Sequence, residues 1–97
     1  MKTGINMKNK VFKAENNEYH NGFHMTFENG CTISVQFGRY NYCNEGETTA
    51  EVAAWDNQDN WLMFDGEKWS EVENGSDVIP HQTTGDVAKL IYTLSQW

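Results

Sequence analysis

Residues 22–37, GFHMTFENGCTISVQF, constrain the fold of this chain more than any other stretch. Phe23, Met25 and Phe27 alternate with His24, Thr26 and Glu28, and Ile33, Val35 and Phe37 alternate with Thr32, Ser34 and Gln36. Two period-2 runs on either side of Asn29-Gly30 predict a β-hairpin. A two-residue turn would set Phe27 against Thr32 and Met25 against Ser34, which mixes apolar and polar groups on both faces. A three-residue loop, Glu28-Asn29-Gly30, pairs Phe27 with Cys31, Met25 with Ile33 and Phe23 with Val35, so that every apolar group shares one face. A slip of one residue flips all side chains, so the second register is expected. It requires Gly30 in the left-handed region, as a bulge residue. It also makes Cys31 a core residue.

The other elements follow from weaker signals. Residues 10–15, KVFKAE, read as a short first strand, and 16–22 as turn material. Residues 48–55, TTAEVAAW, read as a strand that returns through Asp56–Asn60 into WLMF. Asp65-Gly66 marks a second tight turn, with EKWSEV coming back. Both faces of that last pair carry apolar groups, so its register is open. Residues 74–77 read as loop. Thr83 is placed to cap a helix, with Asp86 in the capping-box position. Val87, Leu90, Ile91 and Leu94 then recur at i, i+3, i+4 and i+7, forming one apolar stripe. Burying those four side chains stabilises by roughly 6–12 kcal/mol before entropy is subtracted. Pro80 lies outside the helix. The expectation is an α+β fold, an antiparallel β-meander of about five strands with one C-terminal α-helix packed on one face. Residues 1–9 are expected to be a flexible N-terminus and 10–97 a single domain; Met7 is a second possible start.

A chain of 97 residues buries roughly two-thirds of its unfolded surface. Aromatics make up 13% of it, enough to build a core from few side chains. No apolar run approaches a membrane span, and MKTGINMKNK has no apolar core of a secretory signal. A cytoplasmic setting is expected, with Cys31 and Cys43 as free thiols.

The net charge of −7 is uneven. Residues 1–13 hold four lysines and no acid, whereas residues 45–77 hold ten acids against Lys68 alone, a local charge of −9. Such a field repels nucleic acid and attracts basic partners. An ordinary solvated surface has the same composition.

Catalytic motifs are absent: there is no nucleophile elbow, phosphate-binding loop or dinucleotide fingerprint. No acid pair is marked by spacing, so the chain is read as non-enzymatic, without cofactor. His20 and His24 lie far from His81, and in the register above His24 points away from the core face while Cys31 points into it, so no metal site is expected. Asp56, Asp59 and Asn60 loosely resemble a calcium loop, but the ligand spacing is missing. The most distinctive segment is Gly38–Asn44, where Arg39, Tyr40, Asn41 and Tyr42 leave a core strand together. Arg and Tyr are typical anchors of binding surfaces, and Arg also pairs with phosphate. A loop that merely caps the sheet edge is the plainer alternative. Trp55 and Trp61 flank one loop and are expected as cross-strand neighbours.

The blocks GFHMTFENGCTISVQFGRYNYC and TAEVAAWD, with the helical VAKLI, resemble a group of short tailed-bacteriophage proteins without an established activity. The resemblance spans roughly residues 20–60 and the terminal helix, and it carries over no catalytic residues. It implies a protein that binds and blocks a host machine, of the anti-CRISPR or wider anti-defence kind, in which some members mimic nucleic acid. The expected partner is then a host protein with a basic surface. Arg39, Tyr40, Asn41, Tyr42, Trp55 and Trp61 would be contacts, with Glu45, Glu47, Asp56, Asp59, Glu67 and Glu71 as the acidic complement. One alternative is a sponge for a nucleotide signal at the 38–44 loop. Another is a small structural or assembly factor that dimerises through an open edge strand. No membrane contact and no direct nucleic-acid binding are expected, and the oligomeric state is left open.

Overall fold

The computed structural model describes residues 11–17, 21–44, 47–73 and 77–97. The expectations for residues 1–9, for Met7, for His20 and for Glu45 lie outside these. Among these residues, seven strands form one antiparallel sheet: β1 (Phe12–Asn16), β2 (Asn21–Thr26), β3 (Thr32–Gln36), β4 (Thr49–Trp55), β5 (Trp61–Phe64), β6 (Trp69–Glu71) and β7 (Ile79–Thr83). Among the described residues one helix, α1 (Thr84–Ser95), follows. The α+β class and the C-terminal helix match expectation; the strand number of about five does not.

The hairpin has the three-residue register. Met25 pairs with Ile33 and Phe23 with Val35, and the Phe27 N–H donates to the Cys31 carbonyl at 2.9 Å. Gly30 has φ +86°, and a Cβ there would sit 2.9 Å from the Cβ of Asn57. Cys31 is buried in the core. Asn29 bolts this turn to the helix: its Oδ1 accepts from the Cys31 N–H and its Nδ2 donates to the Leu94 carbonyl at 2.8 Å.

Strands β1 to β6 lie in sequence order, as a meander requires. β7 departs from that plan. It returns beside β4 and shares one edge of that strand with β5: β5 pairs with Ala54 and Trp55, and β7 with Thr49, Ala50 and Val52. β7 is the strand for which the sequence gives no signal, and its own residues conceal it. Pro80 and His81 together oppose the single residue Glu51, a β-bulge, and His81 has φ +55°. Proline lacks an N–H and is confined to edges and bulges, so IPHQT does not read as a strand.

Leu62 pairs with Glu71 and Phe64 with Trp69, which resolves the open register of β5 and β6. The core lies between the sheet and α1: Ile33, Val52 and Leu62 from the sheet meet Leu90 and Leu94, with Val87 and Ile91 packed at the margin. Thr83 caps α1 through a complete capping box with Asp86. Trp69 lies beneath α1, and its indole Nε1–H donates to Thr93 Oγ1 at 2.9 Å. No helix among the described residues is long and apolar enough to cross a membrane.

Candidate functional site: the open sheet face and its tyrosine loop

Alternation along β4 sends Ala50, Val52 and Ala54 into the core and Glu51, Ala53 and Trp55 to the other face. That other face carries the residues of interest. Its cross-strand neighbours are His24 and Ser34, Gln36 and Glu51, and the row Thr26–Thr32–Trp55–Trp61.

The 38–44 loop sits at one end of this face, gripped from below and from the side. Asn41 Nδ2 donates to Glu51 Oε1 and the Tyr42 N–H to Glu51 Oε2, both at 3.0 Å. Hydrogen bonds to a carboxylate are the stronger kind. The β7 bulge takes the His81 N–H out of the strand ladder, and it donates to the Tyr42 carbonyl at 2.9 Å. Both backbone polar groups of Tyr42 are therefore fixed by parts of the sheet. Within the loop, Asn41 Oδ1 accepts from the Gly38 N–H. Asn44 Oδ1 accepts from the N–H groups of Thr48 and Thr49, closing the loop onto β4.

This bracing leaves the large side chains outside. Tyr40 is 63% exposed and Tyr42 65% exposed. Arg39 is exposed as well. Asn41, expected as a contact, also braces the loop through its bonds to Gly38 and Glu51. At the foot of the loop, on the helix side, lies an open cavity of about 280 Å³. Its walls include Phe23, Val35, Phe37, Ala50 and Val87, and Glu47 and Thr48 stand among its polar residues.

Trp55 and Trp61 pair across β4 and β5 as expected, with ring centroids 5.7 Å apart. His24 meets the Trp55 ring edge-on at 5.3 Å. Burial lowers the His24 pKa below its ordinary value, more than nearby Glu15 raises it; Lys13 lowers it further. Glu51 and Trp55, four residues apart on one strand, place the loop and the tryptophan pair about 13 Å apart along one face. Ser34 and Gln36 lie buried on this face, with Gln36 Nε2 donating to Ser34 Oγ at 3.2 Å.

The acids among the described residues are spread over different parts of the molecule. Glu51 points to the open face beneath the loop, whereas Glu71 pairs with Leu62 on the helix side of edge strand β6. Asp59 stands in the β4–β5 loop, Glu67 in the β5–β6 turn and Glu47 beside the cavity. Asp56 is occupied: Oδ1 accepts from the N–H groups of Gln58 and Asn60, and Oδ2 from Asn60 Nδ2. Slight burial raises its pKa, but the amides of Asn60 and Gln58 and the Asn60 side chain lower it below the usual carboxylate value. Among the described residues, no three His, Cys, Asp or Glu side chains are grouped to hold a metal ion.

Sequence reasoning missed two residues of this site, Glu51 and His81. In the sequence Glu51 is only one of the ten acids between residues 45 and 77. The alternation of TAEVAAW already placed it on the face of Trp55, where a charge must find partners. The role of the His81 N–H has no signal in the sequence, because it arises from a bulge that only the β4–β7 pairing creates.

Fold and face together define a small sheet-and-helix module that presents a braced aromatic loop. No family model matches the chain, and neither a curated protein nor a solved structure is significantly similar to it.

Proposed function

We propose that this is a non-catalytic binding protein that engages another protein by direct contact, with the 38–44 loop as its principal contact surface. The observation that carries this reading is the division of labour in the loop. Its amides and Tyr42 backbone are used up in bracing, while Tyr40, Tyr42 and Arg39 project into solvent. Rigid, exposed tyrosines supply contact area at low entropic cost, and Tyr and Arg dominate binding hot spots. The apolar cavity at the foot of the loop fits an aliphatic or aromatic anchor of the partner, and Glu47 beside it favours basic flanking residues. On the phage resemblance, the partner is a host defence protein and the outcome of binding is its inhibition. Acidic mimicry of nucleic acid is the weaker component, since the acids are spread over both faces and the turns.

A nucleotide sponge is less well supported. Asn41 is spent within the loop, and the cavity beside it combines apolar walls with a carboxylate that opposes phosphate.

The test is affinity capture from a bacterial lysate with the native protein and with a Tyr40→Ala/Tyr42→Ala variant of equal thermal stability. The expected result is a host protein retained by the first and lost by the second. Identical captures would discard the loop as the contact surface. A salt titration of the recovered complex then separates the two components: a steep loss of affinity supports charge mimicry, and a shallow one leaves the tyrosine anchors as its basis.

A further inference from the structure

We propose that the outer edge of β1 pairs with the same edge of a second copy, antiparallel, about a twofold axis through Ala14. β1 ends the sheet, and no described strand lies on its outer side. The Val11 carbonyl accepts from the Thr26 N–H at 2.9 Å, so Val11 faces β2, and Lys13 and Glu15 do so by alternation. The N–H and C=O groups of Phe12, Ala14 and Asn16 therefore point outward. Such a row is a template for another strand. Phe12 is 77% exposed beside it, an unusual side chain to leave on an open edge.

The charges on β1 select the partner and the register. Lys13 and Glu15 lie two residues apart on one face, 3.7 Å from each other within the strand. Edge charges ordinarily discourage pairing. Here their order makes the strand complementary to itself. With the axis at Ala14, Lys13 stands opposite Glu15 of the second copy, and the same pair occurs again across the axis. An axis at Lys13 or at Glu15 would oppose like charges. An axis at Phe12 or Asn16 would engage only part of the strand. The Ala14-centred register uses all five residues. It joins the outward backbone groups in three hydrogen-bonded pairs, Ala14 with Ala14 and Phe12 with Asn16 twice, about six hydrogen bonds in all. Phe12 then lies diagonally over Ala14 of the second copy, where a small side chain leaves it room. An interface of two short strands falls below roughly 1,200 Å², so the association belongs to the weak class.

Sedimentation equilibrium tests the pairing from micromolar to millimolar protein. The native chain is expected to move from monomer toward dimer over that range. Lys13→Glu and Glu15→Lys each replace two attractive pairs with two repulsive ones and are expected to weaken association about tenfold. The double variant restores opposite charges in reverse order and is expected to recover association. A native chain that stays monomeric, single variants that associate normally, or a double variant that stays weak overturns the proposal. Circular dichroism and melting of each variant separate lost pairing from lost fold. Register is read independently by oxidative cross-linking in a Cys43→Ser background. Ala14→Cys places two thiols on the axis, whereas Phe12→Cys places them about 13 Å apart along the strands. Cross-linking by Ala14→Cys alone is expected, and equal cross-linking by both rejects the register. The Tyr40→Ala/Tyr42→Ala variant should dimerise normally, so failure of this proposal and failure of the loop as contact surface are distinguishable.

Discussion

The two faces of the sheet are held by different physics. On the helix side, Ile33, Val52, Leu62 and Leu94 are fully buried and packed together. Burial of this kind is non-directional and shared among many atoms. On the other side, the 38–44 loop depends on a few directed hydrogen bonds, above all those to the carboxylate of Glu51. One face resists by volume, the other by the placement of single atoms. A fold can thus be robust where it is apolar and still hold a binding loop in one conformation.

The sharpest way to break this contrast is to damage each side once. Leu94→Ala removes a fully buried side chain under α1 and is expected to cost about 2–5 kcal/mol in urea unfolding. A cost below about 1 kcal/mol would mean that the helix does not form the core described. Glu51→Ala is expected to cost less overall, about 1–3 kcal/mol, since it strips two donors of their acceptor. Its effect should be local. Amide exchange at Tyr42 accelerates in Glu51→Ala, while Ile33 and Val52 keep their protection relative to global unfolding. In Leu94→Ala the pattern is reversed. Equal loss of protection on both faces in either variant would refute the separation.

The same contrast explains what the sequence disclosed. Phe23, Met25, Ile33 and Val35 announced their face because burial repeats with the period of the strand, and one register satisfied all of them. Thr83, Asp86 and the stripe from Val87 to Leu94 gave the helix for the same reason. The residues of the open face repeat nothing. The bracing role of Asn41 has no pattern in the sequence, because amides serve equally well in loops and at interfaces; its bond to Glu51 exists only in the folded chain. β7 was hidden because Pro80 and the left-handed His81 break the alternation by which strands are found. The tryptophan pair was legible, since a single hairpin brings Trp55 opposite Trp61. The outward course of Tyr40 and Tyr42 followed from no pattern, but from the loop's internal bonds.

A third variant probes the far end of the open face. Trp61→Ala removes a half-buried ring that lies tilted against Trp55. Pairing of this kind contributes about 0.5–1.5 kcal/mol beyond simple burial. The loss should exceed that of an exposed substitution yet fall below that of Leu94→Ala. It should also leave the amides of Tyr42 undisturbed, because the two sites are about 13 Å apart along β4. Matching losses for Trp61→Ala and Leu94→Ala would make the open face a second core.

The smallest expected effect concerns His24, and it has a definite sign. Burial against the Trp55 edge favours the neutral ring and holds its pKa below the ordinary value of about 6.5. Above that value the ring is neutral whether the chain is folded or not, and it has no influence on the pH dependence of stability. Below it, the unfolded chain takes up the proton first. Stability should therefore decline as the pH falls from about 6.5 toward the folded midpoint. The carboxylates of Asp65 and Asp86 are held low by backbone amides, from Lys68 and Glu67 in one case and from Thr83 in the other. Their contribution is lost only at lower pH, through and below the ordinary carboxylate range near 4, so the two windows separate. Nuclear magnetic resonance titration of the His24 ring, with melting curves of the native chain and of His24→Gln, reads both quantities. The variant should lose the slope in the upper window and keep the acid limb. A His24 midpoint at or above that of a free histidine would place the ring in solvent and remove it from the open-face cluster.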